Sequence, residues 1–138
     1  MKLVIDSSVI IKWLNTTDEQ NIEKADKILS DSLQGNVELL APELAKYEIG
    51  NVLLKSKQLT THQAHISLGT VYSLPITFVV ESEDLARETY YLATQGTITY
   101  YDAAFLSLAK AYGATLVTEN IKHQGKSPDI KVIELKDY

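Results

Sequence analysis

The sequence contains no cysteine, which excludes disulfide bonds, iron–sulfur clusters and zinc sites built on thiolates. Nothing in it requires an oxidising compartment, and we expect a cytoplasmic protein. No apolar run near the N-terminus is long enough for a signal-peptide core or a membrane span, because Asp6 follows only three apolar residues. We therefore expect no membrane partner and take residue 1 as the start of the fold.

Positive charge is in short supply: 13 Lys and Arg face 18 Asp and Glu, for a formal net charge of −5. This balance argues against a protein that holds nucleic acid by a broad basic surface, since phosphate contacts depend on Lys and Arg. It does not exclude a nuclease, because a metal site replaces part of the missing charge. A local cluster of Lys46, Lys55 and Lys57 is a candidate source of the rest.

The chain has neither an internal repeat nor a linker rich in Pro and Gly. Its 138 residues are 45% apolar and 22% charged, which is typical of one globular domain. We expect a single domain, residues 1–138.

Five short apolar runs predict the strands of the fold, at residues 2–5, 37–40, 76–80, 114–117 and 130–135. Most lack apolar–polar alternation, which indicates strands covered on both faces, as in parallel sheets. The segments between the first four runs are about 30 residues long and carry helical spacing. The predicted fold class is α/β, with a central, mainly parallel sheet of about five strands flanked by six helices.

Helix starts are indicated by capping residues and a proline. In chain order they are Ser7 with Ser8, Asp18, Pro42, Thr60 with Thr61, Ser82, and Thr99 with Asp102. Gly113 is expected to end the last of these helices.

Three acidic residues are expected at the carboxyl ends of the strands, where open parallel sheets bind ligands. Asp6 follows the first strand, the helix after the second strand carries Glu48, and Asp102 stands near the start of the helix that leads to the fourth strand. Carboxylates brought together repel one another unless cations neutralise them. Oxygen-only ligands favour Mg²⁺ or Mn²⁺, so the pattern indicates metal-assisted phosphoryl transfer.

Two of these acids have a structural alternative as helix caps. Asp6 stands at a strand-to-helix junction, where Asp commonly caps the helix, although Ser7 and Ser8 are available for that role. Asp102 lies three residues after Thr99, the spacing of a capping box.

Glu48 is the most informative of the three acids, because it shares a helix face with the apolar residues Leu44 and Val52. A carboxylate there costs free energy unless it is paired or bound to a metal. The alternative is that Glu48 lies at the edge of the apolar stripe and pairs with Lys46 or Lys55.

Other residues carry weaker signals. Tyr100 and Tyr101 have the chemistry to stack on bases, but packing between helix and sheet is the expected use. His62 and His65 have the spacing of half a zinc site, with no third ligand evident. His123 is expected to be a solvated loop residue.

Four segments together resemble the successive motifs of PIN-domain ribonucleases, and above all those of VapC-type toxins from toxin–antitoxin modules. They are residues 3–8 (LVIDSS), 47–52 (YEIGNV) within 42–53, 99–104 (TYYDAA) and 116–120 (LVTEN). The likeness covers essentially the whole chain, in order and at suitable spacing. It implies a three-layer PIN-like domain that uses Mg²⁺ or Mn²⁺ to cut single-stranded RNA as an endoribonuclease.

Carried over by position, the resemblance implies that Asp6, Glu48 and Asp102 are the catalytic and metal-holding residues. Thr118 matches the hydroxyl residue that supports the first aspartate through a hydrogen bond, and Ser7 is a second supporting residue.

Asn120 departs from the family pattern, which often has a fourth acidic residue at its position. Its amide still offers a carbonyl oxygen, so Asn120 remains a fourth candidate ligand. Glu119 should point elsewhere if Asn120 points inward. We expect one firm metal site and a weakened second one.

The resemblance also implies a cognate antitoxin protein and a homodimer. The alternative is a catalytically weak or inactive PIN-like module that binds RNA or protein, a reading that Asn120 keeps open. Aspartyl-phosphate chemistry is disfavoured, because the Asp-x-Asp-x-Thr pattern of those phosphatases is absent: Asp6 is followed by Ser7 and Ser8.

Overall fold

The computed structural model describes residues 1–124 and 127–138. Five strands form one sheet in the order β3-β2-β1-β4-β5, and each neighbouring pair is parallel. The strands are β1 Lys2–Ile5, β2 Glu38–Pro42, β3 Ile76–Val79, β4 Thr115–Thr118 and β5 Val132–Glu134. Each of the five predicted runs therefore forms a strand, and the α/β class with a parallel sheet is confirmed.

Seven α-helices, one more than predicted, are present in the described residues. They are α1 Ser7–Ile10, α2 Ile22–Leu33, α3 Leu44–Lys55, α4 Thr61–Ser73, α5 Glu83–Gly96, α6 Tyr100–Tyr112 and α7 Ile121–Gln124. Two 3-10 turns, Ile11–Trp13 and Leu135–Asp137, complete the set. Right-handed crossovers put α1 to α4 on one face of the sheet and α5 to α7 on the other, which gives the expected three layers.

Three of the predicted helix starts are confirmed in atomic detail. Thr60 forms a capping box with Gln63 at the start of α4, and the Ser82 side chain caps α5. The Thr99 hydroxyl caps α6, which ends at Gly113 with φ +60°. A positive φ favours glycine because it has no Cβ to clash.

Two predicted helix starts are wrong. Pro42 is the last residue of β2, in register with Val79 of β3, and the following helix begins at Leu44. Asp18 lies in the loop four residues before α2, which begins at Ile22 after Asn21. Both residue types are common in the first turn of a helix, but here Pro42 belongs to the preceding strand and Asp18 to the preceding loop.

The central strand β1 explains why the apolar runs show no alternation. Leu3, Val4 and Ile5 are each at most 1% exposed, because helices cover both faces of the sheet. Within residues 1–124 and 127–138, no helix has the length and apolar character needed to cross a membrane.

Candidate active site

The site lies where the strand order reverses. β1 is followed along the chain by β2 on one side, while β4 pairs with its other side, so the carboxyl ends of β1 and β4 form the topological switch point. Asp6 directly follows β1, and its backbone N–H donates to the Val117 carbonyl at 3.0 Å. Thr118 is the last residue of β4. The fold therefore brings the first and last motifs together.

Asp6 is 8% exposed, and hydroxyl and backbone donors hold its Oδ2. The Ser8 hydroxyl donates at 2.5 Å, the Ser8 backbone N–H at 3.2 Å and the Thr118 hydroxyl at 3.2 Å. Asp6 is also the N-cap of α1, so the expectation that Ser7 and Ser8 would take over the capping is wrong. Ser8 lies inside the helix, where its N–H is the one that needs a cap.

The Glu48 side chain reaches the same edge of the sheet from α3. Its Oε1 accepts a hydrogen bond from the Ser7 hydroxyl at 2.7 Å, and Ser7 is itself 8% exposed. Of the lysines considered as partners, Lys46 instead pairs with Glu43 at 3.0 Å. Ser7 therefore links Glu48 to the helix that Asp6 caps.

Asp102 approaches from the other face of the sheet, in the first turn of α6. Its backbone N–H donates to the Thr99 hydroxyl at 3.0 Å, so Thr99 supplies the cap. The Asp102 side chain is partly buried at the positive end of the helix dipole, which favours a negative charge.

The three carboxylates share one electrostatic field. Burial raises the pKa of Glu48 most, the Ser7 hydrogen bond opposes this, and the charges of Asp6 and Asp102 raise the pKa further. Repulsion of this kind is what a divalent cation relieves, and the oxygen-only donor set fits Mg²⁺ or Mn²⁺. Over the described part of the chain, however, no three acidic or histidine side chains are grouped closely enough to hold one ion.

The corner after β4 places Glu119 against α2 and the turn that carries Lys12. Glu119 accepts from Lys12 Nζ at 2.9 Å and from the Asn21 amide at 3.1 Å. The Asn120 backbone N–H donates to the Thr118 hydroxyl at 2.9 Å, so Thr118 connects Asn120 to Asp6.

A largely buried ion cluster that was not predicted from the sequence lies beside this corner and is formed by Lys12, Glu19, Lys57 and Glu119. Lys12 is only 2% exposed, and its Nζ lies 2.8 Å from Glu19 and 2.9 Å from Glu119. Lys57 lies 2.7 Å from Glu19. Two positive and two negative charges thus neutralise one another.

Lys12 is charged in this setting. Burial alone lowers its pKa, but the hydrogen bonds and charges of Glu19 and Glu119 outweigh burial and hold the pKa above its ordinary value. The Glu119 backbone N–H donates to the Ser8 hydroxyl at 3.2 Å, so the cluster is joined through Ser8 to Asp6. The one available signal was a lysine inside an apolar stretch.

Two members of the predicted lysine cluster, Lys46 and Lys57, are engaged by other groups, while Lys55 is exposed. The Lys57 side chain is only 4% exposed, because it belongs to the ion cluster. Lys46 pairs with Glu43 and lies over the rings of Tyr72 and Phe78.

Aromatic and histidine side chains were also placed differently from expectation. Tyr101 is 59% and Tyr100 37% exposed, so the expectation that they pack between helix and sheet is wrong. His62 and His65 are exposed on α4, and the described residues supply no cluster that would complete a metal site with them. His123 is exposed, at the end of α7 rather than in a loop.

Comparison with known proteins adds a decisive observation. The model of the PIN domain family matches residues 3–125. This chain belongs to the PIN-domain family. The matched segment contains the carboxylate site, defined as Asp6, Glu48 and Asp102, together with Thr118 and Asn120.

Individual proteins are similar to this chain in sequence or in fold along nearly its whole length. Ribonuclease VapC3 of Pyrobaculum aerophilum is 30% identical over 122 residues, which cover 86% of this chain and 88% of that protein. VapBC2 from Rickettsia felis, crystallised with a DNA fragment from its promoter, superposes with a TM-score of 0.75 at 21% identity, covering 97% and 98% of the two chains. A toxin–antitoxin complex from Klebsiella pneumoniae gives 0.66 at 17% identity, covering 96% and 97%.

Proposed function

We propose that this PIN-domain protein is a metal-dependent endoribonuclease, one domain over residues 1–138, that hydrolyses phosphodiester bonds of single-stranded RNA. The observation that carries the proposal is the hydrogen-bonded arrangement at the switch point. Thr118 and Ser8 hold Asp6, and Ser7 ties Glu48 to the same short helix. The 30% identity to ribonuclease VapC3 supports the choice of RNA as substrate.

Asp6, Glu48 and Asp102 are the proposed ligands of Mg²⁺ or Mn²⁺, with Asn120 as a fourth. Mg²⁺ usually keeps several waters and is held by one or two carboxylates, so the proposal does not require three acids of the described residues to be grouped around one point. An ion held there would supply the chemistry of lowering the pKa of a bound water molecule and neutralising charge on the leaving oxygen of the phosphodiester. The charges that raise the pKa of Glu48 support this assignment, because a cation would remove the repulsion. The chain's own part is to fix the carboxylates: two hydroxyls orient Asp6, and one orients Glu48.

The test is cleavage of a mixed-sequence single-stranded RNA with Mg²⁺, with Mn²⁺ and with chelator. Asp6→Asn and Asp102→Asn should each lower the metal-dependent rate by more than about 100-fold, beyond the effect typical of residues that only orient metal ligands. Asp26→Asn is the matched control, since Asp26 is an exposed carboxylate on α2. Its rate should equal that of the wild type.

The proposal fails if the folded wild type cuts none of several RNAs in either metal, or if both site variants cut as fast as Asp26→Asn. A residual rate that survives chelation would indicate a contaminating nuclease.

A second candidate function, a weak or inactive module that binds RNA or protein, is favoured by Asn120. The missing carboxylate weakens a second metal most, because each ligand charge adds to cation affinity. Retention of RNA binding by a wild type that does not cut would select this candidate.

The proposed partner is an antitoxin protein, and the protein is proposed to act in the cytoplasm, where its RNA substrate lies. Support comes from the toxin–antitoxin complex of K. pneumoniae, whose fold this chain shares. Copurification of the tagged chain with a small DNA-binding protein encoded beside it is the test, and its absence at native expression levels would count against an antitoxin.

We also propose a homodimer. Large apolar side chains are exposed on α3 and α4, and they include Tyr47 at 76%, Leu54 at 73% and Tyr72 at 71%. Sedimentation of the purified chain should give twice the monomer mass of 15.4 kDa. Leu54→Lys should shift it to the monomer, and a wild-type monomer at micromolar concentration would contradict the proposal.

A further inference from the structure

A cavity of about 190 Å³ lies beside the carboxylate site. Pro42 and Val79, the last residues of β2 and β3, are part of its wall, so the cavity opens at the same edge of the sheet as Asp6. β2 is adjacent to β1 and β3 comes next, which puts the cavity about 5–10 Å along the sheet edge from Asp6. That interval is about one nucleotide step of extended RNA.

The helices that border the cavity are those that carry two of the site carboxylates. Leu44 of α3 lines it, and Glu48 lies one helical turn further along the same face. Tyr101 of α6 lines it directly before Asp102. A strand of RNA whose phosphate reaches the carboxylates therefore has this cavity next to it.

The polar groups of the cavity offer hydrogen-bond acceptors. Glu43 and Glu81 stand at its rim, where Glu81 accepts from the Tyr100 hydroxyl at 2.6 Å. This bond raises the pKa of Tyr100 to about 12, so the hydroxyl stays protonated and remains the donor. A carboxylate accepts about four hydrogen bonds, which leaves Glu81 capacity for a ligand.

The inner end of the cavity carries two buried hydroxyls, Thr89 and Ser107, each 1% exposed and 2.6 Å apart. Thr89 donates to the Leu85 carbonyl at 2.7 Å, and Ser107 lies 3.2 Å from the Ala104 carbonyl. Each hydroxyl has one hydrogen, and these bonds use both. What the pair still offers a ligand is its lone pairs, again as acceptors.

We infer that this cavity is a base-binding subsite that takes one unstacked nucleobase with an exocyclic amino group, next to the bond that is cut. Apolar walls and the exposed Tyr101 ring suit a flat heterocycle, as in proteins that read single-stranded RNA. Acceptor oxygens suit the two amino hydrogens of guanine, cytosine and adenine, whereas uracil has no amino group and donates only from its single N3–H. A phosphate, itself an acceptor, does not fit them.

The size and the lining agree with this occupant. Drug-sized ligands need about 300–1,000 Å³, so a cavity of about 190 Å³ suits one base and not a whole nucleotide. Among the described residues that line it there is no Lys or Arg to attract the backbone phosphate. The assignment rests on the proposed ribonuclease function, which the experiment is designed to test separately.

The first experiment sequences the ends produced from a random single-stranded RNA pool. One position beside the cut should be depleted of uridine by about tenfold, the discrimination expected of a good base contact. Glu81→Gln should reduce that depletion, since its amide replaces one acceptor oxygen with a donor. Ala104→Leu, which fills the cavity, should abolish it, and Ala111→Leu, exposed two turns further along α6, should leave it unchanged.

The second experiment needs no cleavage. Guanosine 5′-monophosphate, titrated into the metal-free protein, should shift the NMR signals of Tyr101 and Ala104, and uridine 5′-monophosphate should bind about tenfold more weakly. Binding without any cleavage would support the subsite and refute the nuclease. Cleavage with no base preference, together with unshifted Tyr101 and Ala104 signals, would overturn the subsite alone. Ala104→Leu that loses a bound protein partner but keeps the uridine depletion would also overturn it.

Discussion

The carboxylate site and the ion cluster lie on either side of the corner formed by residues 118–120, and both are made of partly or fully buried charges. In the ion cluster, Lys12 and Lys57 balance Glu19 and Glu119 at 2.7 to 2.9 Å. The carboxylate site has three acids of one sign, and the hydroxyls of Ser7, Ser8 and Thr118 donate to Glu48 and Asp6.

The ion cluster contains charges that balance one another, whereas the carboxylate site contains like charges that a cation would balance. Closely paired charges offset the cost of their burial within the protein, and they leave nothing for a ligand. The raised pKa of Glu48 shows the opposite condition, in which burial and two like charges disfavour the ionised form. A site of this kind lowers the stability of the metal-free protein in exchange for affinity for a cation.

The largest effect is expected from breaking the ion cluster. Lys12→Met should lower the free energy of unfolding by about 3–5 kcal/mol, because Glu119 and Glu19 each lose a buried partner. Urea denaturation of the metal-free protein measures it. Lys27→Met is the control, since Lys27 is 57% exposed in its pair with Asp31 and should contribute about 1 kcal/mol or less. Equal losses in the two variants would show that the cluster is no stronger than a surface pair.

The position of Lys12 also shows why the sequence predicted the carboxylate site better than its surroundings. Asp6 follows a strand, Asp102 lies in the first turn of a helix, and Glu48 lies one turn into the helix after β2. Local patterns and one rule about parallel sheets are therefore enough to bring the acids to one edge. The partners of Lys12 are Glu19, 7 residues away, and Glu119, 107 residues away, and neither distance has a local signature. A lysine side chain is rarely buried, so Lys57 was expected to lie on the surface.

The same reasoning explains which elements were predicted correctly. Apolar runs of four to six residues and capping hydroxyls such as Thr60 and Thr99 act within a few residues of the chain. Pro42 failed as a helix start because its place is decided by pairing with Val79, and exposed Tyr101 failed because burial depends on which face α6 turns to its neighbours.

Adding a fourth carboxylate should make the carboxylate site differ still more from the ion cluster, with a smaller effect than the loss of Lys12. Asn120→Asp should bind Mg²⁺ or Mn²⁺ about tenfold more tightly, because ligand charge sets the affinity of such sites, and should lower the stability of the metal-free protein. Isothermal titration of the metal measures the first effect, and urea denaturation in chelator measures the second.

Asn36→Asp is the matched control for this change. Asn36 is exposed before β2, at the opposite edge of the sheet, and there an added carboxylate should leave metal affinity unchanged. Tighter binding in both variants would assign the effect to net charge rather than to the site, and no change in Asn120→Asp would remove Asn120 from the set of candidate ligands.

The smallest effect is expected from removing the charge of Glu48. Glu48→Gln keeps an oxygen for the Ser7 hydroxyl and takes away a carboxylate whose pKa is raised by burial and by Asp6 and Asp102. A raised pKa means that the folded state holds the proton more tightly than the unfolded state. The wild type therefore loses stability as pH rises from the ordinary value of 4.5 through the raised pKa, and the variant, which does not titrate there, is spared this loss.

In chelator at neutral pH, Glu48→Gln should accordingly be more stable than the wild type by about 0.5–2 kcal/mol, the usual gain from relieving a functional site. The gain should disappear below pH 4.5, where the wild-type carboxyl is protonated in both states. Saturating Mg²⁺ or Mn²⁺ should reverse the order, since only the wild type has the full carboxylate set to bind it. Urea denaturation across pH, with and without metal, tests all three statements. A variant less stable than the wild type in chelator at neutral pH would mean that the site is as well compensated as the ion cluster.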